Sequence, residues 1–597
     1  MTPVHQFHIP VMGLAFTIDS PIKVARYGIA STISIIEDKL VELMRAHYYK
    51  ERREVYEPIT TKQEDYRARR ITDYLNLVHR IVQEQMEKLK ASAFEKGSEI
   101  SKYMEMLPSK SALRKAYEQM LVADGPARKA MQNYLRTQIV AGAIDVNIMT
   151  KVDRDNPGSG GKVVQDSSDA VTALRGYANS VLTNSSIVFS AGMNPRLFSY
   201  LERLPEFDAK GFGVFNKKVV IKVSDYRSAL IQGKFLAKKG VWVSEFRIES
   251  GLNCGGHAFA TDGSLMGPIL EEFKTKREEL AQALFHLYKP VAEKRTGLTF
   301  TQPHPLKITV QGGVGTHEEA EFLRETYDIE SVGWGTPFLL CPEATTVDAD
   351  TLQQLAKAKA DDVILSKNSP LGVRFNYLKG TSSEKEKMSR IANGKPGSPC
   401  TEKFLVSNTE FTKEPICTAS HKYQKLKIEQ LKSLELSVEE YEKQYREVVS
   451  KECLCIGLSN SAIREYQLPP VKGLTAVTTC PGPNIAYFDK IVTLQEMTDH
   501  IYGRTNILDG QERPHMFIKE LTLNVAYMKE QLSALKKDEP RSAKDILDFS
   551  RQLLLGIEYY HALAGDIKKG EEFNDRLDEI EKEIKDISVA ITGQYKE

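Results

Sequence analysis

The chain of 597 residues has no excess of either charge: 81 Lys and Arg stand against 80 Asp and Glu. A dedicated nucleic-acid binder carries a basic surplus, so that class is set aside. No uninterrupted apolar run approaches the roughly 20 residues that cross a bilayer, so no membrane span is predicted. The opening residues, MTPVHQFHIPVMG, lack a charged segment followed by a long apolar core. They predict no signal peptide and, with the missing span, a cytoplasmic location. Cysteine is absent before position 254, and the total of seven is odd, which argues against a disulfide framework.

What is present is too long for one ordinary core, so two or three folding units are expected. Short apolar runs recur along the first part: HIPVMGLAF, KVARYGIASTISII, AGAIDVNIM, SSIVFSAG, KKVVIKV, VWVSEFRIES, LKITVQGG and ESVGWGTPFLL. Helix-forming stretches such as SALIQGKFLAKKG and GTHEEAEFLRETY lie between them. Alternating strands and helices imply a parallel α/β architecture, and eight units point to a closed (β/α)8 barrel over residues 1–380. In such a barrel the chemistry sits at the C-terminal strand ends. Residues 37–135, charged and apolar at three- and four-residue spacing, predict a helical insertion between the second and third strands. It is expected to be a solvated helical face without chemistry. Residues 381–492 read as a cysteine-bearing extension. Residues 493–597 read as a mainly helical, charged region that packs on the barrel or on a partner subunit.

Two strand ends late in the series carry glycines. ITVQGGVGTHEEAEFL places Gly312, Gly313 and Gly315 before a helix with Thr316 as its expected N-cap. SVGWGTPFL places Gly333, Gly335 and Thr336 at the next end. Glycines let backbone amides approach an anion, and a helix N-terminus adds favourable partial charge. The pair predicts a phosphate cradle at the seventh and eighth strands. Earlier, GLNCGGHAF sets Gly255 and Gly256 before His257, either as a turn or as clearance for something flat that the histidine touches.

Residues 8 to about 378 resemble the nitronate monooxygenase family, FMN-dependent TIM barrels once called 2-nitropropane dioxygenases. CGGHAF, DVNIM, VQGGVGTHEEA, VGWGTPFLLCPEA and GVRFNYLKG are similar to family segments and stand in family order. The resemblance implies FMN held by Gly13, Asn147, Lys222, Gly255, Gly256, Gly312, Gly313, Gly333, Gly335 and Thr336. It implies oxidation of a nitronate or similar substrate with oxygen as acceptor, and His257 beside the flavin as a base suited to the acidic C–H next to a nitro group or α to a carbonyl. An unperturbed imidazole, titrating near pH 6.5, suits that role. A cation at Lys222 would stabilise the reduced flavin. Asn253 and Cys254 replace the Glu-Ala pair that often precedes Gly-Gly-His, and Cys254 is either a small-residue replacement or a reactive thiol. The superfamily also contains flavin-dependent enoyl-ACP reductases, which use NAD(P)H. That leaves a reductive role, with an acyl-carrier or redox partner, as an alternative. A barrel without catalysis, serving as a subunit of an assembly, is the third.

Five cysteines crowd the extension: Cys400, Cys417, Cys453, Cys455 and Cys480. Thiolates suit an iron–sulfur centre or zinc, but the spacing matches no compact pattern, so packed thiols remain the other reading.

Overall fold

The computed structural model describes residues 4–157, 163–183, 185–249, 251–258, 262–535, 540–567 and 570–594. Eight short strands close into a parallel barrel: β1 Phe7–Ile9, β2 Ala30–Ser34, β3 Ile144–Ile148, β4 Ser185–Phe189, β5 Lys217–Val223, β6 Val243–Glu249, β7 Lys307–Gln311 and β8 Ser331–Gly333. They pair in sequence order, and β8 returns to β1 through Phe7 opposite Val332 and His8 opposite Gly333. Each strand is one of the eight apolar runs, and helices follow most strands and wrap the wall, for example Asp169–Ala178, Tyr226–Ala237 and Arg277–Thr296.

Alternation along the strands separates the two faces. On β6, Phe246 and Ile248 are buried against the outer helices while Glu245, Arg247 and Glu249 point inward. The inward direction is fixed by Arg247, whose guanidinium reaches 4.0 Å from Asp145 on β3, with two strands between them in the barrel wall. The lower interior is therefore a ladder of polar contacts. Thr309 donates to Glu245 at 2.5 Å, Arg247 pairs with Glu245 at 2.7 Å, and Asp145 accepts from the amide of Ser186 at 2.9 Å.

Between β2 and β3 lie five helices: Asp38–Glu51, Tyr66–Ala91, Glu99–Met106, Ala112–Val122 and Gly125–Gln138. The expectation of a solvated face fails for the longest of them. Tyr66–Ala91 buries Ile71, Tyr74, Leu75, Val78, Ile81 and Val82, a three- and four-residue stripe. It packs on helix Asp169–Ala178 so closely that a Cβ on Gly176 would sit 2.8 Å from the carbonyl of Ala68. The helix serves as barrel wall. Arg70, Asp38 and the carbonyl of Ile59 are bonded inside the insertion, while Lys39 pairs with Glu402 and Asp65 with Arg175 outside it.

After the barrel, β9 Val363–Ser366 and β10 Phe375–Leu378 form an antiparallel hairpin. The segment that follows carries helices Ser382–Ala392, His421–Ser433 and Val438–Ser450. The chain ends in long helices Met516–Ala534, Pro540–Leu563 and Gly570–Gln594. Among the described residues no helix is long and apolar enough to cross a membrane.

Candidate functional site

The C-terminal mouth of the barrel collects polar side chains from five strands. Lys222 of β5 bonds Glu249 of β6 at 3.1 Å, and the amide of Gln311 on β7 donates to the same carboxylate at 2.7 Å. Burial opposes charge on Glu249, but Lys222, Gln311 and Lys151 outweigh it and hold the carboxyl below its ordinary range. Burial and the nearby charge of Lys222 lower Lys151 to about 8. Asn147 of β3 is fully buried; its Nδ2 donates to the carbonyl of Val188 at 3.3 Å, and its Oδ1 has no partner. The Oε1 of Gln311 and the hydroxyl of Ser34, next to Asn147 in register, are likewise buried and unpartnered. Buried polar atoms are nearly always bonded, so this set is incomplete as the protein stands alone.

His257 lies half-buried on the loop after β6. Its Nε2 is 2.7 Å from the hydroxyl of Ser369, and its ring meets Phe375 edge-on at 5.0 Å. Asn253 braces the loop from within, donating to the carbonyl of His257 at 2.9 Å and accepting from the amide of Gly255 at 3.1 Å. Asn376 closes the brace by donating to Asn253 Oδ1 at 2.6 Å. Burial, then the charge of Lys151, lowers His257 to about 4, so the ring is neutral at pH 7. It is therefore a weaker base than an unperturbed imidazole. Cys254 is buried and its thiol is pushed up by that burial, which leaves it protonated. Its sulfur would lie 2.6 Å from a Cβ on Gly335, so it serves as a small packed residue.

The glycine pair divides. Gly255 has φ +130° and a Cβ there would stand 2.1 Å from the carbonyl of Cys480. It gives clearance to the chain's own extension, which bridges to it at Pro481. Gly256 faces open space and supplies the room beside His257. The other expected glycines also meet protein. Gly312 and Gly313 abut Leu252, Gly333 abuts Gln311 and His8, and Gly13 abuts the ring of Phe16.

The loop after β7 departs most from expectation. Thr316 does cap helix His317–Tyr327, accepting from the amide of Glu319 at 3.2 Å. The anion at this helix start is the chain's own Glu319: its carboxylate takes the amides of Gly315 at 2.9 Å and Met516 at 2.8 Å. Arg513 pairs with it at 2.7 Å and bonds the carbonyl of Gly313 at 2.6 Å. Thr336 receives the amide of Gly482 at 3.1 Å, and Asn484 donates to the carbonyls of Gly313 and Val314. The helix start thus does not fit a phosphate, because Glu319 already fills it. The strand ends do offer groups that suit a flavin ring: the unpartnered Oδ1 of Asn147 and Oε1 of Gln311 and the cation of Lys222.

No family model and no curated protein matches the chain. The solved structures that share an outline with it include two enzymes. One is the enoyl reductase domain of MlnA from the macrolactin cluster of Bacillus amyloliquefaciens, at 14% identity and TM-score 0.30, covering 70% of this chain and 90% of that one. The other is nitroalkane oxidase from Streptomyces ansochromogenes, at 7% identity and TM-score 0.28, covering 62% and 76%. At these scores neither carries an argument about function.

Sequence reasoning missed Glu249, Gln311, Lys151, Ser369 and Asn376. Glu249 had a signal: charges at 245, 247 and 249 alternate with apolar residues on a strand assigned to a barrel wall. Of the five extension cysteines, four come together and Cys480 does not. Its backbone is spent on the mouth, with its carbonyl accepting from the amide of Gly256 at 3.2 Å.

Proposed function

We propose that the chain is a flavin-dependent oxidoreductase with its reaction centre at the barrel mouth; the resemblance to nitronate monooxygenases implies FMN, whose phosphate would need a seat other than the helix start that Glu319 fills. The observation that carries this reading is the buried, unpartnered side-chain oxygen of Asn147, on the barrel interior that also holds the Lys222–Glu249 pair. An amide oxygen there would accept from a ring N–H, and Lys222 would face developing negative charge. A bound flavin supplies two-electron transfer between substrate and a second reactant. Asn147 and Lys222 would orient the ring, Phe375 and the hairpin exclude water behind His257, and Ser369 fixes its imidazole.

Two directions of electron flow fit this centre, and the state of His257 favours reduction. Oxidation of a carbon acid with oxygen needs His257 as base. Burial, then the charge of Lys151, makes it a weaker base than an ordinary imidazole. Lys151, at about 8, is protonated at neutral pH and can deliver a proton to a substrate carbon once electrons have been added. The reading is thus an NAD(P)H-dependent reductase of an activated double bond, such as an enoyl thioester. The test is paired assays on purified protein: NAD(P)H oxidation with an enoyl thioester, and oxygen uptake with a nitronate. Nitronate-dependent uptake without nicotinamide activity would reverse the assigned direction. Protein that emerges colourless and takes up no FMN would remove the flavin reading and leave a scaffold role.

A further inference from the structure

Cys400, Cys417, Cys453 and Cys455 come from three separate segments and converge on one enclosed cavity of about 10 Å³, which Pro370 and Lys403 also line. All four are free thiols. Their segments are locked together by backbone bonds. Ser398 donates to the carbonyl of Ala419 at 2.9 Å, its own carbonyl takes the amide of His421 at 2.9 Å, and Glu452 donates to Asn368 at 3.0 Å. The sulfurs receive amide hydrogen bonds from two and three residues ahead: Lys403 to Cys400, Ala419 to Cys417, and Cys455 and Ile456 to Cys453. Amide donors aimed at sulfur favour the thiolate, the form that binds metal. Cys400 and Lys403 both adopt left-handed backbone, with φ of +47° and +59°. That conformation is uncommon for residues with a side chain and collects at functional sites.

We propose that Cys400, Cys417, Cys453 and Cys455 are the four thiolate ligands of a thiophilic metal centre, a zinc ion or an iron–sulfur cluster. The sulfurs stand as two close pairs, Cys400 with Cys417 and Cys453 with Cys455. Among the described residues no three cysteine sulfurs lie within 4.8 Å of one another. Tetrahedral zinc with bonds of about 2.3 Å would bring all four to about 3.8 Å apart. The spacing leans towards the two-by-two ligand arrangement of an iron–sulfur cluster, and the small void leans towards a single ion. Both are the same ligand chemistry, binding on loss of the thiol protons. Lys403, three residues after Cys400, also lines the cavity and places a positive charge beside the sulfurs. The centre adjoins the mouth: Pro370 lines the cavity, and its neighbour Ser369 holds His257. Cys480 and Cys341 are not part of it.

The proposal does not depend on the flavin, because its test reads metal. The full chain is purified without oxygen, and iron, acid-labile sulfide and zinc are quantified with the absorption spectrum before and after dithionite. Iron with sulfide and a bleachable broad band would support the cluster form, and one zinc per chain without such a band would support the ion. Cys400→Ser, Cys417→Ser, Cys453→Ser and Cys455→Ser should each lower metal content about tenfold or more, while Cys480→Ser and Cys341→Ser keep it. Because a ligand variant can fail to fold, the wild-type chain stripped of metal is also titrated with Co²⁺. Intense thiolate-to-cobalt bands are expected. Metal-free protein that gives no cobalt bands, or a Cys400–Cys417 disulfide found in the oxygen-free preparation, would overturn the proposal.

Discussion

The Glu319–Arg513 pair offers the sharpest perturbation. Both side chains are about 5% exposed, they meet at 2.7 Å, and Glu319 also takes the amides of Gly315 and Met516. Arg513→Leu would strip the carboxylate of its counter-charge and also release the carbonyl of Gly313 and the side-chain oxygen of Asn484. Breaking a buried pair by removing one partner costs about 3–5 kcal/mol, or about two to three and a half powers of ten in the folding equilibrium. The pH sign follows from the carboxyl. Burial opposes its charge, but Arg513 and His515 hold its folded value below the ordinary one. In the wild type this contribution is full above the unfolded value, near 4.3, and is lost as pH falls through the folded value. In Arg513→Leu burial dominates and the folded value rises above 4.3, so the deficit against wild type should be full at pH 7 and shrink towards pH 5. Chemical unfolding followed by the fluorescence of Trp334 reads it locally. That indole packs edge-on to His500, which bonds the carbonyl of Gly315 at 2.9 Å. Glu319→Gln combined with Arg513→Leu should cost less than Arg513→Leu alone, since no bare charge remains. A deficit under about 1 kcal/mol, or single losses that simply add, would refute the assignment of Glu319 as the anion of this loop.

Three further outcomes are expected. Lys222→Met should leave Glu249 without its closest cation, raise its carboxyl and cut flavin retention sharply, while Lys222→Arg preserves both; flavin per chain measures it. His257 should titrate near 4 by proton NMR, and the proton that its unfolded form takes up below about 6.5 should make the fold lose stability between pH 6.5 and 4; a midpoint near 6.5 would sink the neutral-imidazole argument. Gly255→Ala should weaken the junction of barrel and extension by several times the roughly 1–2 kcal/mol of left-handed strain expected for Gly256→Ala, because only the former meets a carbonyl at 2.1 Å; limited proteolysis and melting compare them.

The barrel was legible because its strands are short apolar runs whose other neighbours are helices, and period and length together leave little else. Which glycines face a ligand was not legible. A glycine records that a side chain is unwelcome, and Gly255 and Gly256 are adjacent yet answer to different neighbours: one to Cys480, the other to open space. The phosphate reading failed for a similar reason. Thr316 followed by two glutamates is a sound helix start, and its third residue supplied the anion that the loop was expected to bind. Partners such as Ser369 for His257, 112 residues on, and Arg513 for Glu319, 194 residues on, arise only from tertiary closure. The alternating charges of β6 were within reach, since a barrel strand with one charged face must turn it inward when its apolar face packs on helices.

These long-range contacts alter what the barrel is. The loop that carries His257 is bonded on one side to β10 through Asn376 and on the other to Cys480 through the amide of Gly256. The loop after β7 is closed by Asn484 and Arg513. Each of these partners lies beyond the eighth strand, so the mouth is a joint product of barrel and extension. The strand ends alone would leave Glu319 uncompensated, His257 unsupported and Gly312 to Gly315 without a roof. The cavity on which the four cysteines converge is also lined by Pro370, the residue after the serine that holds the histidine. Pro370 thus links the cysteine cavity through one peptide bond to Ser369, which bonds the imidazole of His257 at 2.7 Å.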